Sequence, residues 1–158
     1  MTNMRVEFIN PFIASALNVF STMCATELKR GQIYLRGTDQ THSGVSGVIG
    51  LTGNAIGTVA IVVDNVTAIQ ITGRFLGMEV DEINDDVIDC VGEMVNMVAG
   101  SAKAELEQYN LSISLPSIIR GEDHLIEFPS DVKPICVPFT SDIGDVMLQV
   151  GFVMKENP

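Results

Sequence analysis

SGVSGVIGLTGNAIGTVAIVVD, residues 43–64, decides how this chain folds. Two Val- and Ile-rich runs flank Gly53-Asn54. Branched side chains suit a pleated, half-buried surface, and Gly-Asn supplies the backbone of a tight turn. The stretch reads as a β-hairpin with strands near 45–52 and 56–63. Glycines 44, 47, 50, 53 and 57 lack a following Gly-Lys-Ser/Thr and open a hairpin rather than a helix. They are turn and strand glycines, not a phosphate cradle.

Upstream, EFINPFIASALNVFSTMCATEL (residues 7–28) carries Phe12, Ile13, Leu17, Phe20 and Met23 at helical spacing. Pro11 suits a first helical turn, which predicts a helix over 11–28 stopped by Gly31. QIYLRG then reads as a short strand. Downstream, NVTAIQITGRFLG predicts a helix over 65–77, capped by Asp64 or Asn65 and ended by Gly77. After an acidic turn comes a long helical pattern over 87–109. LSISLPSIIRG (111–121) is a strand interrupted by Pro116, hence an edge or a bulge. EDHLIEFPSD reads as a polar loop, and VKPICVPFT and GDVMLQVGFVMK as closing strands.

LTGNAIGTVAI (51–61) echoes FTSDIGDVML (139–148), and each follows a helix bearing an asparagine, Asn18 or Asn96. The order suggests an internal duplication, with pseudo-repeats of roughly 1–77 and 78–158 in one domain spanning 1–158. The expected fold is α+β: one mixed or antiparallel sheet with long helices packed on it.

Composition removes several functions. A net charge of −11, with nine Lys and Arg scattered along the chain, argues against nucleic acid and acidic membranes. No apolar run approaches the roughly 18 residues of a membrane helix. Near the N-terminus, Arg5 is followed by Glu7, Asn10 and Pro11, which interrupt any signal-peptide core, so a cytoplasmic protein is expected. Cys24, Cys90 and Cys136 cannot all pair and none lies in a CxxC, which predicts buried reduced thiols. His42 and His124 fall in predicted loops without a ligand pattern, so no metal site is expected. No serine sits in Gly-x-Ser-x-Gly. Met4, Met23, Met78, Met94 and Met97 read as core filling.

DDVIDCVGEMVNMVAG (85–100) holds the candidate site. At about 100° per residue, Asp89, Asn96 and Gly100 fall on the side of Glu93, and Lys103 and Glu107 extend the stripe. Val87, Val91, Met94, Val98, Ala102 and Tyr109 fall opposite, making the helix amphipathic. A solvated face is the plain reading. Gly92, Ala99 and Gly100, however, leave the flank bare, and each mid-helix glycine costs on the order of 1 kcal/mol relative to alanine. Asn96 is also a poor interior helix residue, because its amide competes for backbone partners. Both features make sense if another molecule approaches closely.

Asp89-x-x-x-Glu93-x-x-Asn96 followed by Pro116 resembles the phosphatase signature of the CheC/CheX/FliY family of chemotaxis proteins. GEMVNMVAG (92–100) and INPF (9–12) are most similar to its CheX branch. The resemblance covers essentially the whole chain. It departs in the 19 residues between Asn96 and Pro116, slightly fewer than in CheC. Glu7-x-x-Asn10 also spells the motif, ahead of the predicted helix. Aligning Asn18 with Asn96 sets Ser15 where Glu93 stands, so one active site per chain is expected.

The resemblance implies hydrolysis of the aspartyl phosphate on a CheY-type response regulator. Asn96 would orient the attacking water and Glu93 would pair with a regulator lysine. Asp89, Gly92 and Gly100 would serve docking. The regulator would supply Mg²⁺, the chain having no cofactor or metal of its own, and a homodimer paired through sheet edges is implied. A non-catalytic module docking on the same regulator is the alternative.

Overall fold

Helix α1 (Val6–Cys24) opens the fold in a computed structural model that describes residues 6–37 and 40–155. Short strands β1 (Lys29–Arg30) and β2 (Tyr34–Leu35) precede the hairpin β3 (His42–Gly53) and β4 (Ala55–Val63). Helices α2 (Asn65–Leu76) and α3 (Asp85–Glu105) follow, then a 3-10 turn (Glu107–Tyr109). Strands β5 (Leu111–Ile113), β6 (Ser117–His124), β7 (Ile135–Thr140) and β8 (Val146–Met154) complete it. The expectations for Met4 and Arg5 lie outside the described residues.

Among the described residues every strand pairing is antiparallel, in one sheet ordered β1-β7-β8-β4-β3-β5. Strand β2 also pairs with β7, and β6 with β3. The expected α+β class holds. Phe12 and Phe20 of α1, Ile71 of α2, and Val91, Met94 and Val98 of α3 share one buried cluster with Val59, Ile61 and Val63 of β4 and Leu148 of β8. Alternate β4 residues thus feed the core, as period-two geometry requires. The hairpin forms as the sequence predicts, and its β4 pairs with β8 from Ala55↔Met154 to Val63↔Val146.

Asp64 caps α2 by accepting from the Thr67 N–H at 2.7 Å, and Gly77 ends it in the left-handed region at φ 68°. Asn84 caps α3 by accepting from the Val87 N–H at 3.1 Å, which starts that helix two residues before the expected boundary.

Helix α1 differs from its expectation at both ends. It runs Val6–Cys24, so Pro11 lies inside it, and it stops at Cys24 rather than Leu28. Ala25 takes a left-handed φ of 48°, and the Thr26 N–H turns back to Phe20 O at 3.1 Å. The methionines also divide: Met94 is buried, whereas Met23 and Met78 are exposed rather than core filling. All three cysteines are buried and free, and burial pushes the Cys24 thiol up to about 12.

The segment 122–131, read from sequence as a polar loop, instead completes strand β6 as far as His124 and then supplies an apolar cover. Ile126 is buried against Ala60 and Val62 on the sheet face away from the helices, with Phe128 packed beside them. A hydrogen-bonded chain lies at this cover. Arg36 donates from Nη1 to Ile126 O and, at 3.5 Å, to Gln149 Oε1. A guanidinium offers only donors, so Gln149 must turn its Nε2 to His42, whose Nε2 lies 2.7 Å away. His42 Nε2 therefore accepts, and the ring is neutral. His124 sits directly opposite on β6, its Nε2 2.7 Å from Ser46 Oγ. Both histidines are in paired strands, not in the loops the sequence suggested.

Burial, then His124 and Arg36, hold His42 below its ordinary 6.5. The unfolded chain takes up that proton more readily. The stability His42 contributes is therefore complete above 6.5 and is lost as pH falls towards the lowered folded value. Between about pH 7.5 and 5.5, where carboxylates stay ionised, the parent chain is expected to lose more thermal stability than His42→Gln. Melting curves that shift in parallel would remove His42 from this role.

Candidate functional site

Helix α3 presents the stripe as its periodicity requires. Val91, Met94 and Val98 are buried, Asp89 and Glu93 are exposed, and Asn96 is half-buried. Among the described residues neither Glu93 nor Asn96 has a side-chain hydrogen-bond partner. The Asn96 amide keeps a donor and an acceptor unclaimed beside a free carboxylate. Acidic residues Asp85 and Asp86 in the first turn complement the helix dipole.

Gly92 is buried, and the molecule that approaches it is the chain itself. A Cβ there would meet Ile118 Cδ1 at 3.5 Å and Pro116 Cγ at 3.7 Å. Part of the bare flank expected to serve a partner is thus covered by the β5–β6 link. Asn96 stands one turn beyond Gly92, and Pro116 packs against Gly92, on the side of this face away from Glu93. At Gly100 a Cβ would meet nothing within 4 Å. That residue lines an open groove of about 690 Å³ with Lys103, Glu107 and Asn110.

The β5–β6 link is the feature sequence reasoning underused. Ser114 donates from its N–H to Gly50 O at 2.9 Å, and its Oγ accepts from the Gly50 N–H at 2.9 Å. The same Oγ donates to Leu115 O at 2.9 Å. Its signals were the local Ser-Leu-Pro-Ser and the Pro116 that follows the Glu93–Asn96 pair.

Ser15, aligned with Glu93 above, is not at the surface: its Oγ donates to Val98 O at 2.7 Å and ties α1 to α3. Glu7 and Asn10 lie within α1 rather than ahead of it, on an open groove with Asn18, Ser101 and Glu105. Ser46 and His124 have the spacing of a nucleophile and base, yet Ser46 is 0% exposed and no substrate reaches it. Among the described residues no three His, Cys, Asp or Glu side chains converge on a metal site. None of their helices is long and apolar enough to cross a membrane.

Three helices packed on one antiparallel sheet, one of them presenting an exposed carboxylate and a half-buried amide one turn apart, place the chain in the α+β class. This chain belongs to the chemotaxis phosphatase CheX family, whose model matches residues 45–140. It is 28% identical over 153 residues to the CheY-P phosphatase CheX of Thermotoga maritima, covering 93% of this chain and 97% of that one. A CheC-like superfamily protein from Shewanella sp. PV-4 superposes with a TM-score of 0.87 at 36% identity, over 95% of this chain and 99% of that one. The CheX of a CheX–CheY–BeF3–Mg²⁺ complex from Borrelia burgdorferi superposes with a TM-score of 0.76 at 26% identity, over 96% and 100%.

Proposed function

We propose that this chain hydrolyses the phosphoaspartate of a CheY-type response regulator in the cytoplasm. The observation that carries this reading is the half-buried Asn96, its amide unclaimed, beside exposed Glu93 on α3. The named activity of the Thermotoga relative and the CheY-bound state of the Borrelia relative support it.

An acyl phosphate is already activated, so the enzyme's task is positioning and charge stabilisation. The Asn96 carboxamide holds a water in line with phosphorus through one donor and one acceptor. The water oxygen bonds to phosphorus, the aspartyl O–P bond breaks, and its electron pair returns to the carboxylate. Inorganic phosphate leaves, and the water's protons go to phosphate and solvent. Glu93 pairs with a lysine of the regulator and fixes the register of the two proteins. Asp89 and Gly100 flank this contact, and Gly92 lets Pro116 close its edge. On this reading the regulator brings the Mg²⁺ that neutralises charge on the phosphoryl group.

Two structural readings accompany this function. The halves, roughly 1–77 and 78–158, are pseudo-repeats, a reading supported by the matching hairpins β3–β4 and β7–β8 that abut through β4 and β8. Two chains join through sheet edges, a reading supported by the outer strands on β3 and β7.

The test is a phosphate-loss assay on a phosphorylated CheY-type regulator with Mg²⁺. The chain is expected to shorten the phosphoryl lifetime. Tight binding with an unchanged lifetime would replace the enzyme with a docking module.

A further inference from the structure

We infer that Leu115 is a second fixed point of regulator docking, an apolar side chain on the far side of Asn96 from Glu93. It selects a receiver surface that carries an apolar patch beside the phosphoaspartate. The inference rests on the phosphatase reading of the Glu93–Asn96 face.

Leu115 is 87% exposed, the most exposed of the large hydrophobic residues among those described. A single exposed leucine is ordinary on a protein surface. This one is set apart by its mount and its place. It sits in a link of three residues between β5 and β6, both of which pair with β3. Ser114 locks the link to Gly50 through two hydrogen bonds of 2.9 Å and also holds the Leu115 carbonyl at 2.9 Å. Pro116 fixes the next φ and packs toward Gly92 of α3. Links of this kind ordinarily carry Ser, Asn, Asp or Gly at their tips. Here the tip is rigid and apolar.

Helix geometry gives the place. Asn96 is three residues from Glu93 and four from Gly92, so across the face the order is Glu93, Asn96, Gly92. Pro116 covers Gly92, and Leu115 is the residue before it. The link that bears Leu115 therefore lies on the side of the amide away from the carboxylate. A partner seated on both points is gripped on either side of Asn96, which strengthens the complex before chemistry begins. A leucine carried on a hydrogen-bonded link orders little backbone when it is buried in a partner, which favours binding.

The test titrates the chain against the regulator activated with beryllofluoride and Mg²⁺, beryllofluoride standing in for the phosphoryl group. Single-turnover phosphate loss is read at saturating chain. Leu115→Ala is expected to weaken binding roughly tenfold and Leu115→Glu more, while Leu115→Met binds as the parent does. The saturating rate of Leu115→Ala stays at the parent value. Leu125 is the control, since it is 55% exposed but lies beyond the eight residues of β6, roughly 26 Å from Leu115. Leu125→Ala is expected to change nothing. Binding of Leu115→Ala and Leu115→Glu within about twofold of the parent overturns the inference and leaves the phosphatase reading standing. So does a Leu115→Ala chain that binds normally but turns over slowly. A parent chain that neither binds nor dephosphorylates the regulator sinks both.

Discussion

Asn96→Ala is expected to slow single-turnover phosphate loss from a bound regulator by roughly 10²-fold or more. Binding of the regulator should change by less than about threefold. The asymmetry follows from where the side chain stands. Asn96 has no hydrogen-bond partner among the described residues, so its removal leaves no orphaned group and no slack in the core. What disappears is the group that aims the water, and that interaction matures only in the transition state. Asn96→Asp is a sharper probe. It keeps the size and one acceptor, loses the amide donor, and adds a negative charge facing a phosphoryl group. It should be as slow as the alanine variant. Glu93→Ala should instead weaken binding as well as turnover, because it strands the regulator's lysine at a partly desolvated interface. Asp85→Ala, two turns earlier and exposed, should alter little beyond the rate of association. Parent-like turnover by Asn96→Ala would mean that the stripe only docks.

How much of this was legible in the sequence depends on where the signal resided. The β3–β4 hairpin, the caps of α2 at Asp64 and Gly77, and the buried and open faces of α3 are local patterns, and the structure carries them. Helix α1 was misjudged because its boundaries are tertiary. Pro11 forfeits a hydrogen bond within the helix, and burial of Phe8, Ile9 and Phe12 offsets that loss. Its end is an alanine in a left-handed conformation, for which no glycine marked the place. The cover at Ile126 and Phe128 was hidden because apolar residues set among polar and charged ones look like a loop until a sheet face lies beneath them. At the site, Glu93 and Asn96 announce themselves by spacing. Leu115 does not, since its importance comes from the rigid link beside α3, which no spacing along the chain encodes.

Gly57→Ala is expected to cost about 3 kcal/mol or more of folding stability, lowering Tm by roughly 6–12 °C. Gly57 and Phe152 face each other across β4 and β8 in the middle of the sheet. A Cβ at Gly57 would lie 2.2 Å from Phe152 Cβ and 2.3 Å from Gly151 O. Backbone is involved on the β8 side, so no rotamer change relieves the clash and the strands must part. The Phe152 ring also lies 5.9 Å from that of Phe8 and 6.0 Å from that of Phe12, so displacing it disturbs the seat of α1. Helix α1 in turn holds α3 through Ser15 and Val98, which places the effect within reach of the site. Gly50→Ala is the matched control on the adjoining strand. Its Cβ would meet only the Ser114 side chain, Oγ at 3.6 Å and Cβ at 3.8 Å, both ordinary contacts, and its stability should stay within about 1 kcal/mol of the parent. Thermal and urea unfolding of the two variants side by side make the comparison. Equal midpoints for both would mean that β4 and β8 do not approach as closely as the Gly57–Phe152 pairing requires.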